Sequence, residues 1–188
     1  MDTVSFTLVM SNFALIASLP LIIFRRDGSF NLKWCCTALP FLVVVVVLIL
    51  GFVGMLTSLK YPSQLWFELA QIFAALFSIA SIGLIASTIH AHEFKPSLWH
   101  QENDQPQELV TWGPYKRIRH PFYSAFFLAF CASLLLFPHY LILGCCVYSC
   151  IILTLTAKRE ETRLTQVFGS KYQGYMSTTG RFIPAKLP

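Results

Sequence analysis

The sequence predicts an all-α, polytopic membrane protein: five transmembrane helices, the last two forming a C-terminal helical hairpin whose second arm continues as a cytoplasmic helix extension. Three observations predict it. Of 188 residues, 55% are hydrophobic and only 12% charged, with a mean hydropathy of +0.60, whereas soluble domains carry about 25% charge. Apolar runs long enough to cross a bilayer recur along the chain. All but Lys60 of the 14 Lys and Arg fall in three segments that five spans place on one side.

The first span reads from Val4 to Phe24 and is closed by Arg25-Arg26. Its positive charges follow the apolar run, which argues for an anchor over a cleavable signal peptide. The second runs from Trp34 to about Leu56 and includes the block Val43 to Val47. The third, Leu65 to Ile89, carries Glu68 and Gln71 near its start and Ser78, Ser81 and Ser87 further in. Small and hydroxyl residues at these spacings suit close helix packing in lipid. Asn12, Glu68 and Gln71 are also candidates to line a substrate path.

The fourth and fifth spans, Pro121 to Phe137 and His139 to Thr156, are joined by almost nothing and must form an antiparallel hairpin turning at Phe137-Pro138-His139. Pro121 suits the first helical turn, where a missing N–H is harmless. The fifth helix continues past the membrane surface through Glu160, Leu164 and Phe168 to Gly169, a C-terminal glycine. Residues 1–188 thus form a single membrane domain: 1–89 hold three anchoring spans and 90–188 a loop, the hairpin and the tail.

The basic segments face the cytoplasm by the positive-inside rule, so the N-terminus lies outside and the C-terminus within. The net charge of +5 then reflects loops meeting anionic headgroups; no soluble basic face is left for nucleic acid. Cys35, Cys36, Cys131, Cys145, Cys146 and Cys150 all fall inside predicted spans, where thiols act as small apolar packers; Cys146 and Cys150, four apart, are the pair that a redox or metal role would use. His90, His92 and Glu93 have the residue types of a zinc or iron site, but no further matched ligands accompany them, and none is assigned.

Charge concentrates where the hairpin opens. The segment Gln107 to Tyr123 precedes it, Ala157 to Leu164 leaves it, and the turn between them returns the chain to the same surface. Arg119, His120 and Tyr123 are thereby brought within reach of Glu160 and Glu161. Polar groups at the start of a membrane helix are expensive and usually functional; the competing reading is a belt of basic and aromatic residues anchoring headgroups.

The stretch G-P-Y-K-R-I-R-H-P-F-Y, the tight hairpin, E-E-T-R-L-T-Q-V-F-G-S-K-Y-Q-G-Y and a terminal G-R-F-I-P resemble the isoprenylcysteine carboxyl methyltransferase family of membrane methyltransferases. Phospholipid N-methyltransferases share that general plan. The resemblance covers about the last 90 residues. It implies S-adenosylmethionine (S-adenosyl-L-methionine) as methyl donor, held on the cytoplasmic side. Its cofactor contacts map to Gln107, Glu108, Leu109, Val110, Tyr115, His120, Pro121, Phe122, Tyr123 and Glu160. Family members often have histidine at the place of Gln107. Eukaryotic members have an arginine, implicated in meeting the substrate carboxylate, at the place of Thr156; Lys158 or Arg159 is the alternative substrate-side cation.

The residue chemistry runs the same way. Tyr115 and Tyr123 offer aromatic faces to a sulfonium, and Glu160 offers acceptors to hydroxyl or amino groups. His120 and Arg119 can meet a carboxylate. Arg119, His120 and Glu161 are the candidates for catalytic roles, the latter two as proton acceptors for an amine or thiol substrate. A carboxylate acceptor needs no base, and alignment supplies much of the rate. The expected partner is a membrane lipid or a lipidated small molecule or protein. Isoprenylcysteine-type carboxylate O-methylation is the leading expectation; phospholipid N-methylation and a non-enzymatic or thiol-redox role are the alternatives, with a nicotinamide-dependent membrane reductase more distant. Tyr172 and Tyr175 read equally as an interfacial belt or as cofactor contacts, and Arg181 and Phe182 as ties for the tail.

Overall fold

The computed structural model describes residues 1–19, 29–91 and 108–185. They form six α-helices and one short 3-10 turn: α1 (Thr3–Ser18), α2 (Leu32–Phe52), α3 (Gln64–His90), the turn (Gly113–Lys116), α4 (Pro121–Leu136), α5 (Tyr140–Phe168) and α6 (Ser170–Thr178). Among the described residues there is no strand; Ile118 and Gly180 form an isolated parallel bridge.

The most extensive packing joins α3 to α4. Ala70, Gln71, Ala74, Ser78, Ser81, Ile85 and Thr88 form the buried stripe of α3, recurring every three or four residues. Ala125, Ala129, Ala132 and Ser133 are among the buried residues of α4. Such small side chains let two helix backbones approach closely. The Ser81 hydroxyl donates to the Ala125 carbonyl across that contact at 2.8 Å. It lies 3.2 Å from Asn12 Oδ1 on α1, while Asn12 Nδ2 has no partner. Turning that amide over lets Nδ2 donate to the Ser81 hydroxyl while that hydroxyl donates to Ala125.

On the other side α5 packs against α2 and α4. Pro40, inside α2, has no N–H to give the Cys36 carbonyl, and the Tyr148 hydroxyl of α5 donates to that carbonyl at 3.1 Å. A polar side chain thus supplies the donor that the proline removes from the ladder. The hairpin turns where the sequence places it, between Leu136 and Tyr140, with His139 as N-cap of α5 accepting from the Leu141 N–H. α5 runs unbroken past Glu160 and Glu161 to Gly169, whose φ of 55° belongs to the left-handed region that glycine tolerates.

Length modifies the count of spans. α2 from Trp34, α3 and α5 are long and apolar enough to cross a membrane. α1 and α4 have 16 residues each, or about 24 Å, short of a hydrocarbon core of about 30 Å. The proline-marked ends of α4, Pro121 and Pro138, explain its brevity. The first predicted span ends in the described part at Ser18, and residues 20–28 lie outside the described residues, as do His92 and Glu93.

Candidate active site

Pro121 occupies the first position of α4, which makes His120 the N-cap. The residues just before it pair with the tail. Ile118 and Gly180 form a parallel bridge, with Gly180 N donating to Arg117 O at 3.1 Å, Arg119 N to Gly180 O at 2.8 Å and His120 N to Arg181 O at 3.0 Å. Only glycine fits at 180, because a Cβ there would collide with the Ile183 carbonyl oxygen. The reversal at Gly169 and the short α6 bring the tail back over the hairpin mouth.

Two carboxylates from α5 meet this ladder, and their surroundings differ. Glu161 is 6% exposed. Its Oε1 accepts from Arg119 Nε at 2.9 Å and its Oε2 from Arg181 Nη2 at 2.6 Å. Arg119 also donates through Nη1 to the Met176 and Thr179 carbonyls. Glu160 has a side chain 37% exposed and accepts from the Tyr123 hydroxyl at 2.7 Å.

His120 stands between the two, its Nδ1 3.4 Å from Glu160 Oε2 and its Nε2 3.4 Å from Glu161 Oε1. The Nε2 contact lacks hydrogen-bond alignment, which leaves that buried nitrogen without a bonded partner. The imidazole stacks on Tyr123 with centroids 5.3 Å apart and planes 2° from parallel. Burial alone would push its pKa down, but the Glu160 contact and the negative charges of Glu160 and Glu161 outweigh it and hold the group above its ordinary value.

The structure therefore gathers Arg119, His120, Tyr123, Glu160 and Glu161 into one cluster. Pro121 is buried beneath it and Phe122 half-buried beside it. Tyr115, on the 3-10 turn, has its phenol pKa raised by burial and by the charges of Tyr175 and Glu160, and its carbonyl accepts from Tyr175 at 2.6 Å. Thr156 is buried one turn before Glu160, while Arg159 is exposed. Upstream, Glu108 is exposed, Leu109 buried and Val110 half-buried; Gln107 lies outside the described residues.

Three features go beyond the sequence reading. Arg181 is a second cation on Glu161, where the sequence assigned it only to the tail. Tyr172, 1% exposed, and Tyr175, bonded to Tyr115, turn inward and are no lipid-facing belt. Ser124 donates to the Phe182 carbonyl at 2.6 Å. The signal for Arg181 was present in G-R-F, but its partner depends on a chain reversal at Gly169. Among the described residues no three His, Cys, Asp or Glu gather as a metal site, and the six cysteines are free thiols.

Comparison with known sequences adds two findings. The sequence pattern of the phospholipid methyltransferase family matches residues 69–171, from the first turns of α3 to the start of α6. A methanethiol S-methyltransferase of Pseudomonas deceptionensis is 32% identical over 71 residues, which is 38% of this chain and 26% of that protein. The match thus spans about a quarter of the relative's length.

Proposed function

Because this chain belongs to the phospholipid methyltransferase family, we propose that it transfers a methyl group from S-adenosylmethionine to an amphiphile drawn from the bilayer. The carrying observation is the His120, Tyr123 and Glu160 cluster at the hairpin mouth, where a half-exposed carboxylate, an imidazole and an aromatic face converge. S-adenosylmethionine supplies an electrophilic methyl on a cationic sulfonium. The donor set suits such a group: Tyr115 and Tyr123 offer ring faces, Glu160 accepts from hydroxyl or amino groups, and His120 Nε2 has no bonded partner within the protein. Glu108, Leu109, Val110 and Phe122, with Gln107, complete the proposed cofactor contacts.

For the acceptor we favour a phospholipid amine over an isoprenylcysteine-type carboxylate. A carboxylate brought beside Glu160 and Glu161 adds like charge. The two guanidiniums at the cluster, Arg119 and Arg181, are both bonded to Glu161. Thr156 stands where the carboxylate-binding arginine of the resembling family falls, and Arg159 points to solvent. An amine or thiol must lose a proton, and the His120–Glu160 pair is the one to receive it. We place the mouth and the C-terminus on the cytoplasmic side and the N-terminus outside, with α1 and α4 completing five crossings.

The test is donor binding to purified protein. We expect wild type to bind S-adenosylmethionine and Glu160→Ala and His120→Ala to lose at least about tenfold, or about 1.4 kcal/mol. Unchanged affinity in both variants rejects the site. Vesicles of phosphatidylethanolamine incubated with labelled donor then give a base-stable methylated headgroup; a base-labile methyl ester instead returns the acceptor to a carboxylate.

A further inference from the structure

We propose that Phe182 governs which acceptors reach the His120–Glu160 cluster, by covering its bilayer side, and that the Glu161–Arg181 ion pair positions it there. This rests on the methyltransferase reading of the same site.

Residues 180–182 cross the first turn of α4 and are held at several points. The Arg117 carbonyl and the Arg119 and His120 N–H groups bond the backbone of Gly180 and Arg181, and Ser124 Oγ bonds the Phe182 carbonyl. From the side, Arg181 Nη2 and Nε both reach Glu161. The backbone under Phe182 is thus fixed, while its ring is held only by apolar contact.

That ring lies at a seam. On one side it faces His120, with centroids 6.0 Å apart. On the other it meets Phe127 edge-on, at 5.0 Å and 88°. Like Ile16 and Leu19 from the end of α1, Phe41 from α2 and Phe122 from α4, it packs against the buried cluster of Tyr123, Phe126, Leu153 and Ala157. These belong to the apolar helices, whereas His120 belongs to the charged cluster at the hairpin mouth. An acyl chain approaching His120 and Glu160 along that wall meets Phe182 first. Glu161, bonded to two guanidiniums, therefore acts through the tail it holds, as a positioning residue in place of the base that its sequence position suggests.

The experiment reconstitutes the full chain in phosphatidylcholine vesicles containing a phosphatidylethanolamine with a photoreactive diazirine in its acyl chain, and maps the label on residues 119–130. Phe182→Ala should raise labelling by about tenfold, the scale on which apolar volume discriminates between ligands, and Phe182→Trp should lower it. Arg181→Ala should also raise it, and Arg181→Lys should restore it towards wild type. S-adenosylmethionine affinity, measured on the same samples, should not change with residue 182. Equal labelling in wild type, Phe182→Ala and Phe182→Trp overturns the gate. A rise in Phe182→Ala without one in Arg181→Ala overturns the positioning role. If wild type binds no S-adenosylmethionine, the methyltransferase reading falls, and the labelling pattern still decides whether Phe182 controls lipid entry.

Discussion

At the end of the bundle where α1 and α3 begin, Gln71 Nε2 donates to the Leu136 carbonyl at 3.3 Å, the Tyr61 hydroxyl donates to the Leu135 carbonyl, and Leu59 N donates to the Pro138 carbonyl at 2.7 Å. At the opposite end Arg119, Arg181, His120 and Tyr123 converge on two carboxylates. The first set is neutral and answers the Leu135 and Leu136 carbonyls that α4 leaves unpaired in its last turn, and the Pro138 carbonyl of the connection that follows. The second is ionised, joins side chain to side chain, and keeps one member, Glu160, open to solvent. Both sets are what a helix in lipid requires, since unmet polar groups are costly there. The difference is that a satisfied neutral bond has nothing left to offer a ligand, whereas a charged cluster with an open carboxylate does.

The comparison breaks most sharply at Glu161. Replacing it with alanine leaves Arg119 and Arg181 without their shared counter-charge, and we expect a loss of about 3–5 kcal/mol, seen as a lower thermal unfolding midpoint in detergent. Full stability with abolished methyl transfer would instead make Glu161 a proton acceptor. At the other end, Gln71→Leu strands the Leu136 carbonyl and the Asp2 N–H, which Gln71 Oε1 accepts at 3.0 Å. The expected loss is about 1–3 kcal/mol, with S-adenosylmethionine affinity unchanged. A change in affinity there would show that the two ends are coupled.

Protonation separates the ends further. His120 titrates above its ordinary value of 6.5 because Glu160 and Glu161 outweigh the effect of its burial. A pKa raised by folding means that the native state binds the proton more tightly than the unfolded chain. The stabilisation is then fully present below about pH 6.5 and is lost as pH rises through the raised native value. The unfolding midpoint of wild type should fall across that window more than that of His120→Gln. Identical slopes would mean that the imidazole is neutral in the native state.

How much of this was legible in the sequence follows from how local each cause is. The hairpin was legible because three residues, one of them Pro138, permit nothing but a reversal, and the meeting of His120 with Glu160 follows from that reversal alone. Gly169 was read as a helix end, yet the direction in which α6 leaves is set by its φ and by pairing with residues 117–120, some 60 positions earlier. Arg181 and the inward turn of Tyr172 and Tyr175 depend on that direction and could not be read. Hydropathy carried the first span to Phe24 because it measures composition, while α1 is bounded in the described residues by backbone geometry at Leu19.

The smallest expected effect falls at Tyr61, whose ring packs edge-on against Phe67 at 5.9 Å and whose hydroxyl serves one backbone carbonyl. Burial raises the pKa of that phenol, so it is a neutral donor at every pH of interest. Tyr61→Phe keeps the ring and removes the bond, and should cost about 0.5–1.5 kcal/mol with no change in donor affinity or in pH dependence. The Leu135 carbonyl has a second, longer approach from Gln71 Nε2 at 3.5 Å, which holds the loss at the low end. A loss in Tyr61→Phe as large as in Gln71→Leu would mean that the two donors act as one unit, and the doubly substituted protein would then lose less than the sum of the two.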